Sequence, residues 1–393
     1  MSGQVIEDAV QAALAVLRHN ARGPDGSLPR TAGWGYPEPY TRDLMIAAPG
    51  ILVSGDPDLI LSLRRVLETL AENQSPLGHV PGLVNDPRDR GSSDTTPLFL
   101  IGLALYRQYS GEAVFLQEAA DRALRWLAYQ SPDDRVMIAQ QPTSDWRDEQ
   151  WVLGYGLYVN TLIYAALRLF GQDAQGSLLR ERINQQAIVD ERKPGHVLEG
   201  LALPDRPYYA LWSYKVHHSA RFDLLGNCLA MLFGLATPEK ARAIIAWIAD
   251  QCAALRATGM LSGDLPPCLI PAIQRHDPDW HPRYELYNRP GDYHNGGVWP
   301  FIGGWYVAAL VAIGEHALAQ RQLAALVESA RPARRPGLAF GFNEWFSAAD
   351  GLPRSEDWQT WSAAMLVYAA ACVRQGSTPF FDEMRRGAGA PKG

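Results

Sequence analysis

Apolar residues recur every three to four positions along almost the whole chain, the spacing that turns one face of an α-helix toward a core. Alternation with a period of two, the mark of a half-buried strand, is scarce. The pattern predicts twelve helical segments, near 5–18, 43–53, 57–73, 96–109, 112–129, 148–170, 174–186, 218–235, 238–255, 300–313, 316–330 and 357–374. The connections between them alternate in length. Short turns (Ser54-Gly55-Asp56, Ser110-Gly111, Gly171-Gln172-Asp173, Ala236-Thr237, Gly314-Glu315) join helices in pairs. Between the pairs run long stretches rich in glycine, proline and aromatic residues: 19–42, 74–95, 130–147, 187–217, 256–299 and 331–356.

In an antiparallel helical array the short turns gather at one end and the long ones at the other. Six hairpins closed into a ring would make an all-α (α/α)6 barrel with the six long connections around one mouth. An open solenoid of helix pairs is the competing architecture. Solenoid hairpins repeat in sequence, and these do not resemble one another. Loops longer than about 15 residues in a compact domain are usually functional. No low-complexity linker or Ser/Gly hinge divides the chain, so residues 1–384 are expected to form one barrel domain and 385–393 a flexible tail.

Composition narrows the class. Of 393 residues, 47% are apolar, enough for a large core. The net charge of −6, with no basic block, argues against a nucleic-acid or anionic-membrane partner. The four cysteines (Cys228, Cys252, Cys268, Cys372) have no paired-ligand spacing, and Cys228, Cys252 and Cys372, in helical apolar stretches, read as core residues. The first ten residues carry Glu7 and Asp8 and no basic segment, so a cytoplasmic protein is expected. Residues 296–314 lack charge and approach membrane-spanning length, but five glycines and Pro300 favour a buried helix. Phosphate-cradling glycine motifs, a nucleophile elbow and metal-ligand spacings are missing, so no cofactor and no metal is expected.

The chemistry concentrates in the long connections. Ser144-Asp145-Trp146-Arg147-Asp148-Glu149 and Phe342-Asn343-Glu344-Trp345-Phe346, remote from each other in the chain, each set a carboxylate beside tryptophan. Two separated carboxyls among aromatic rings suit glycosidic-bond hydrolysis. One protonates the leaving oxygen and the other activates water on the opposite face. Asp148 is placed in the first turn of the helix expected over 148–170. Asp145 suits a helix cap, and Glu149 competes with Asp148 for the acid role. A glutamate among Phe340, Phe342, Trp345 and Phe346 is costly unless paired or functional. Tyr293-His294-Asn295-Gly296-Gly297-Val298-Trp299-Pro300 reads either as a sugar-contacting turn or as a glycine turn before a proline-started helix. His217 and His218 are expected to open another helix, where adjacent histidines cannot share a face. Arg42-Asp43, after the aromatic run containing Trp34, Tyr36 and Tyr40, reads as an ion pair or a clamp on hydroxyls.

With these residues in view, the chain resembles the alkaline/neutral invertase family of glycoside hydrolases, whose fold is an (α/α)6 barrel. The Tyr293–Pro300 tract carries the strongest likeness. Asn343-Glu344-Trp345-Phe346, Asp350-Gly351 and Gln359-Thr360-Trp361 fall in the family's order. So do Arg42-Asp43, Asp94, Asp148 through Leu167, and Arg221-Phe222 with Leu225-Gly226-Asn227. Trp146-Arg147-Asp148 is also similar to the Trp-Met-Asp signature of glycogen-debranching glucosidases. The resemblance spans about residues 40–375. It implies inverting hydrolysis without metal, Asp148 as general acid and Glu344 as general base. The family's aromatic residues soon after Asp94 are replaced here, Phe342-Asn343 stands for its tryptophan–proline, and the 256–292 connection is this chain's own.

The resulting expectation is an inverting glycosidase for a small α-glucoside or sucrose-like disaccharide. Its expected substrate contacts are Tyr36, Arg42, Asp43, Asp94, Trp146, Arg147, His218, Arg221, Tyr293, His294, Asn295, Trp299, Trp345, Gln359 and Trp361. The expected partner is a saccharide, with homo-oligomerisation open. Two other classes compete: an N-acyl-sugar 2-epimerase-like isomerase pairing His217 or His218 with His294, and a non-catalytic glycan-binding barrel.

Overall fold

The computed structural model describes all residues except 1–2, 25, 27, 133–135, 188–198 and 389–393. Helices pair across short turns as the pattern predicts, and the turn chemistry is visible. Asp56 caps the helix that begins at Pro57, accepting from the Asp58 and Leu59 amides, and Thr237 caps the helix that begins at Pro238.

Six helices form an inner set: α2 (Thr41–Ser54), α4 (Thr95–Ser110), α6 (Leu157–Leu169), α8 (Leu224–Leu232), α10 (Pro300–Ala312) and α12 (Thr360–Gln375). Each packs on the next, and α12 packs back on α2, so the contacts close a cycle. These helices are apolar around most of their circumference and are buried accordingly. The charge-free stretch 296–314 falls largely in α10, where Pro300 through Val311 are all buried. Among the described residues no helix is long and apolar enough to cross a membrane. Closure brings backbones together. A Cβ on Gly50 of α2 would lie 2.0 Å from the Ala364 carbonyl oxygen of α12, so this crossing admits only glycine.

The remaining long helices are α1 (Gly3–Asn20), α3 (Pro57–Asn73), α5 (Gln117–Tyr129), α7 (Asp173–Asn184), α9 (Pro238–Ala257) and α11 (His316–Ser329). They bury one stripe only, as Leu59, Leu63, Val66, Leu67 and Leu70 do in α3. Each inner helix follows a long connection and ends at a short turn. The amino ends of all six therefore meet the long connections.

Three expectations need correction. The helix expected over 148–170 starts at Leu157, because Gly154 sits at φ 68° in the left-handed region and its neighbours pair as strand. Asp148 is thus in irregular backbone, outside any helical first turn. The helix expected from His218 is a strand up to Asp223. β1 (Tyr155–Gly156), β2 (Ala210–Tyr214), β3 (His217–Asp223) and β4 (Leu269–Ile270) form an antiparallel sheet in that order, beside the long connections. A second pair joins β5 (Trp345–Phe346) to β6 (Pro353–Arg354). Lastly, the tail expected from 385 begins inside α13 (Asp382–Ala388). Arg385 bonds the Leu232 carbonyl and Thr378 there. Residues 389–393 of that tail lie outside the described residues.

Candidate active site

The amino ends of the inner helices deliver charged groups to one region. Arg42 and Asp43 stand in the first turn of α2, and Asp94 immediately precedes α4. The Arg42 guanidinium grips Asp94 at 2.6 Å and donates to the Asp145 carbonyl, while the Tyr158 hydroxyl on α6 donates to Asp94. Asp94 is wholly buried. Asp43 has no such grip. Burial pushes its carboxyl up to about 7, with Arg42 opposing.

Behind this lies a second buried pair network. Arg147, 1% exposed, meets Asp145 at 2.8 Å and Asp223 at 2.9 Å. Asp145 also accepts from Gln140 and from the Arg147 amide. Burial alone would raise the Asp145 carboxyl, but Arg147 and these donors bring it below its ordinary value. Asp145 is therefore neither a helix cap nor a free acid. Arg147, expected among the substrate contacts, faces inward and ties the 145–148 segment to the start of α8.

That anchoring leaves Asp148 at the surface of the mouth with its side chain 59% exposed. Its Oδ1 lies 3.9 Å from Nε2 of His294, which is buried. Partial desolvation by the surrounding walls raises the Asp148 carboxyl above its ordinary value, with Arg42 opposing and Glu149 and Asp145 adding to the rise. Glu149 points elsewhere, into a two-pronged pair with Arg283.

His294 belongs to an aromatic stack. Its ring lies 3.9 Å from Tyr293 at 26°, 5.5 Å from Trp299 at 19°, and edge-on to Trp146 at 5.1 Å. Burial, followed by Arg147, holds the imidazole well below its ordinary pKa, so it is neutral. Trp299 is buried and donates to the Tyr293 carbonyl. Asn295 spends its amide on the backbones of Ile273 and Asn288, and so holds a loop rather than a ligand.

Glu344 comes from the last long connection, 9% exposed, with Oε2 unpartnered. Burial pushes its carboxyl up to about 8, with Ser355 opposing and Asp43 and Asp148 adding to the rise. Tyr36, which approaches Ser355 at 3.5 Å, and Tyr293 both feel the Glu344 charge. The Tyr293 ring lies between the two carboxylates, stacked on His294 beside Asp148 and 5.5 Å from the ring of Trp345, the residue after Glu344. Trp345 stacks over Trp299 at 6.4 Å. Gln359 and Trp361, at the start of α12, are buried with the amide of Gln359 and the indole N–H of Trp361 unpartnered.

The structure thus gathers Arg42, Asp43, Asp94, Trp146, Asp148, Tyr293, His294, Trp299, Glu344, Trp345 and Tyr36 into one neighbourhood. It sets others apart. His218 is exposed on β3 opposite Ser213, and neither His217 nor His218 is among the rings around His294. Arg221 is engaged by Asp277 and Asp279. Tyr158, Asp223 and Ser355 escaped the sequence reading. Asp223 was within reach of it, as a carboxylate ending an aromatic-flanked run before an apolar helix. Among the described residues no group of three or more His, Cys, Asp or Glu side chains is placed to hold a metal ion.

Comparison with known proteins bears out the resemblance read from the sequence. Residues 180–375 match the alkaline and neutral invertase family profile. Probable alkaline/neutral invertase D of Arabidopsis thaliana is 30% identical over 161 residues, 40% of this chain and 28% of that protein. Cytosolic invertase 1 of Oryza sativa subsp. japonica is 30% identical over 161 residues, 40% of this chain and 26% of the relative. The matched part is thus little more than a quarter of the curated relatives' length. A mannosylglycerate hydrolase from Thermus thermophilus, solved with Tris and D-glycerate, superposes with TM-score 0.61 at 16% identity, over 91% of this chain and 99% of that one. A bacterial glucoamylase complexed with acarbose gives TM-score 0.61 at 14% identity, over 97% and 58%. At such identities the likeness carries the fold, not the chemistry.

Proposed function

We propose that this chain is an inverting glycoside hydrolase built as an (α/α)6 barrel in a single domain, acting on a small α-glucoside or sucrose-like disaccharide. The closed cycle of six inner helices and the solved neighbours support the barrel. The observation that carries the chemistry is that Asp148 and Glu344 come from different connections to one aromatic cluster: Asp148 lies 3.9 Å from His294, on which Tyr293 stacks, and Tyr293 lies 5.5 Å from Trp345, the residue after Glu344. Asp148 protonates the glycosidic oxygen. The neutral His294 beside it leaves the carboxyl its proton, whereas a charged imidazole would strip it. Glu344, in its aromatic pocket, takes a proton from the attacking water. Arg42, Asp43 and Tyr36 hold hydroxyls of the cleaved sugar, and Trp345 with Tyr293 presents apolar ring faces to it. Inversion calls for carboxyl groups roughly 6.5–9.5 Å apart, leaving room for that water.

Incubation with sucrose, trehalose, maltose, kojibiose and glucosylglycerate tests the reading. Release of glucose from at least one, lost in Asp148→Asn, supports it. No release from any removes it.

A further inference from the structure

Residues 271–289, in the connection that is this chain's own, form a strap across the segment carrying Asp148. Its near end is fixed where Arg221 of β3 holds Asp277 at 2.9 Å and Asp279 at 2.6 Å. Its far end grips the residues just after Asp148. Arg283 pairs with both oxygens of Glu149, and the Asn288 amide donates to the Glu149 carbonyl. The Trp151 N–H donates to the Tyr284 hydroxyl at 2.8 Å. The indole of Trp151 then lies flat on the His281 imidazole, 4.7 Å between centroids and 23° between planes, and the residue stays 47% exposed. One face of the indole is backed by protein, and the other is presented three residues from the proton donor.

A half-exposed indole costs apolar hydration in the free protein. Fixing it by a stack, a backbone bond and an adjacent ion pair makes a rigid platform for a flat apolar face. On the strap Arg275 meets Glu285, Arg289 approaches Glu285 at 4.0 Å, and Arg283 is held by Glu149. Arg275 and Arg289 thus share one carboxylate, and these pairs tie the strap's own residues together.

From this we infer that Trp151, backed by His281 and set by the strap, is the platform on which the ring of the leaving group stacks. The inference rests on the hydrolase reading above and adds to it the site of the leaving group. A ring stacks on the free indole face with its bridging oxygen toward Asp148.

The test compares two substrates that share a glycone, a neutral α-glucosyl disaccharide from the panel and α-glucosyl fluoride, whose fluoride is too small to reach the indole. In Trp151→Ala the ratio of kcat/KM for the disaccharide to that for the fluoride should fall at least tenfold, with Trp151→Phe in between. An unchanged ratio in Trp151→Ala overturns the inference while leaving the hydrolase intact. Wild-type protein inert to disaccharide and fluoride alike removes the hydrolase reading and the platform with it.

Discussion

Nε2 of His294 stands 3.9 Å from Oδ1 of Asp148, the histidine buried and the carboxylate open to the mouth. Because burial keeps that imidazole uncharged, the contact is not an ion pair and does not draw the proton off Asp148. The same burial that makes His294 a poor proton carrier makes it a suitable neighbour for a general acid. Proton donation matters most when the leaving group is basic. Asp148→Asn should lower kcat/KM on a disaccharide about 10²–10⁴-fold. On α-glucosyl fluoride, whose leaving group needs little protonation, the loss should be far smaller. Glu344→Gln should impair both substrates, since water must be activated in either case. Paired steady-state kinetics on the two substrates check this; equal losses on both in Asp148→Asn would deny it the acid role.

Glu344 gives a stability signature with a definite sign. Its folded carboxyl is raised from 4.5 to about 8, so the folded state favours the protonated form. The stability it allows is complete below the unfolded value and is lost as pH rises toward about 8. Each unit is worth about 1.4 kcal/mol, so even half the rise amounts to roughly 2 kcal/mol. Glu344→Gln, neutral throughout, should match wild type near pH 4 and melt about 2–3 °C higher at pH 9. Thermal melts across that range check it. Because one carboxyl must be ionised and the other protonated at the same time, wild-type kcat/KM should pass through a bell with pH, the apparent values belonging to the coupled carboxyls rather than to one residue.

Arg147 and Arg283 each pair with a carboxylate close to Asp148 in the chain, Asp145 and Glu149, yet their substitutions should differ. Arg147 is buried between Asp145 and Asp223. Arg147→Met would strand two carboxylates and cost about 3–5 kcal/mol. Arg283 is 62% exposed in its pair with Glu149, and Arg283→Met should cost no more than about 1 kcal/mol. Chemical denaturation of both variants decides it. Similar losses would mean that Arg147 is not the buried tie.

What sequence could and could not disclose follows from range. Helix pairs were legible because their signals are local: Asp56 before Pro57, Thr237 before Pro238, Gly55 closing α2. The start of α6 was not. Trp151, Val152, Leu153 and Tyr155 mimic a helical stripe, and only the pairing of Tyr155 with Ser213 of β2 shows that the backbone there is extended. β3 hid for a related reason: only Phe222 and Asp223 at its end are buried, so its alternation is faint. The carboxylates of the site stood out by their aromatic company. The inward posts of Arg147 and Asn295 did not, since their partners, Asp223 and Ile273, lie 76 and 22 residues away along the chain.

The central claim, that Asp148 and Glu344 cleave an α-glucosidic bond by a single displacement, is tested most directly by proton NMR of glucose in the first minutes of hydrolysis, before mutarotation. The account predicts that β-glucose appears first from an α-glucoside. Initial release of α-glucose would contradict it.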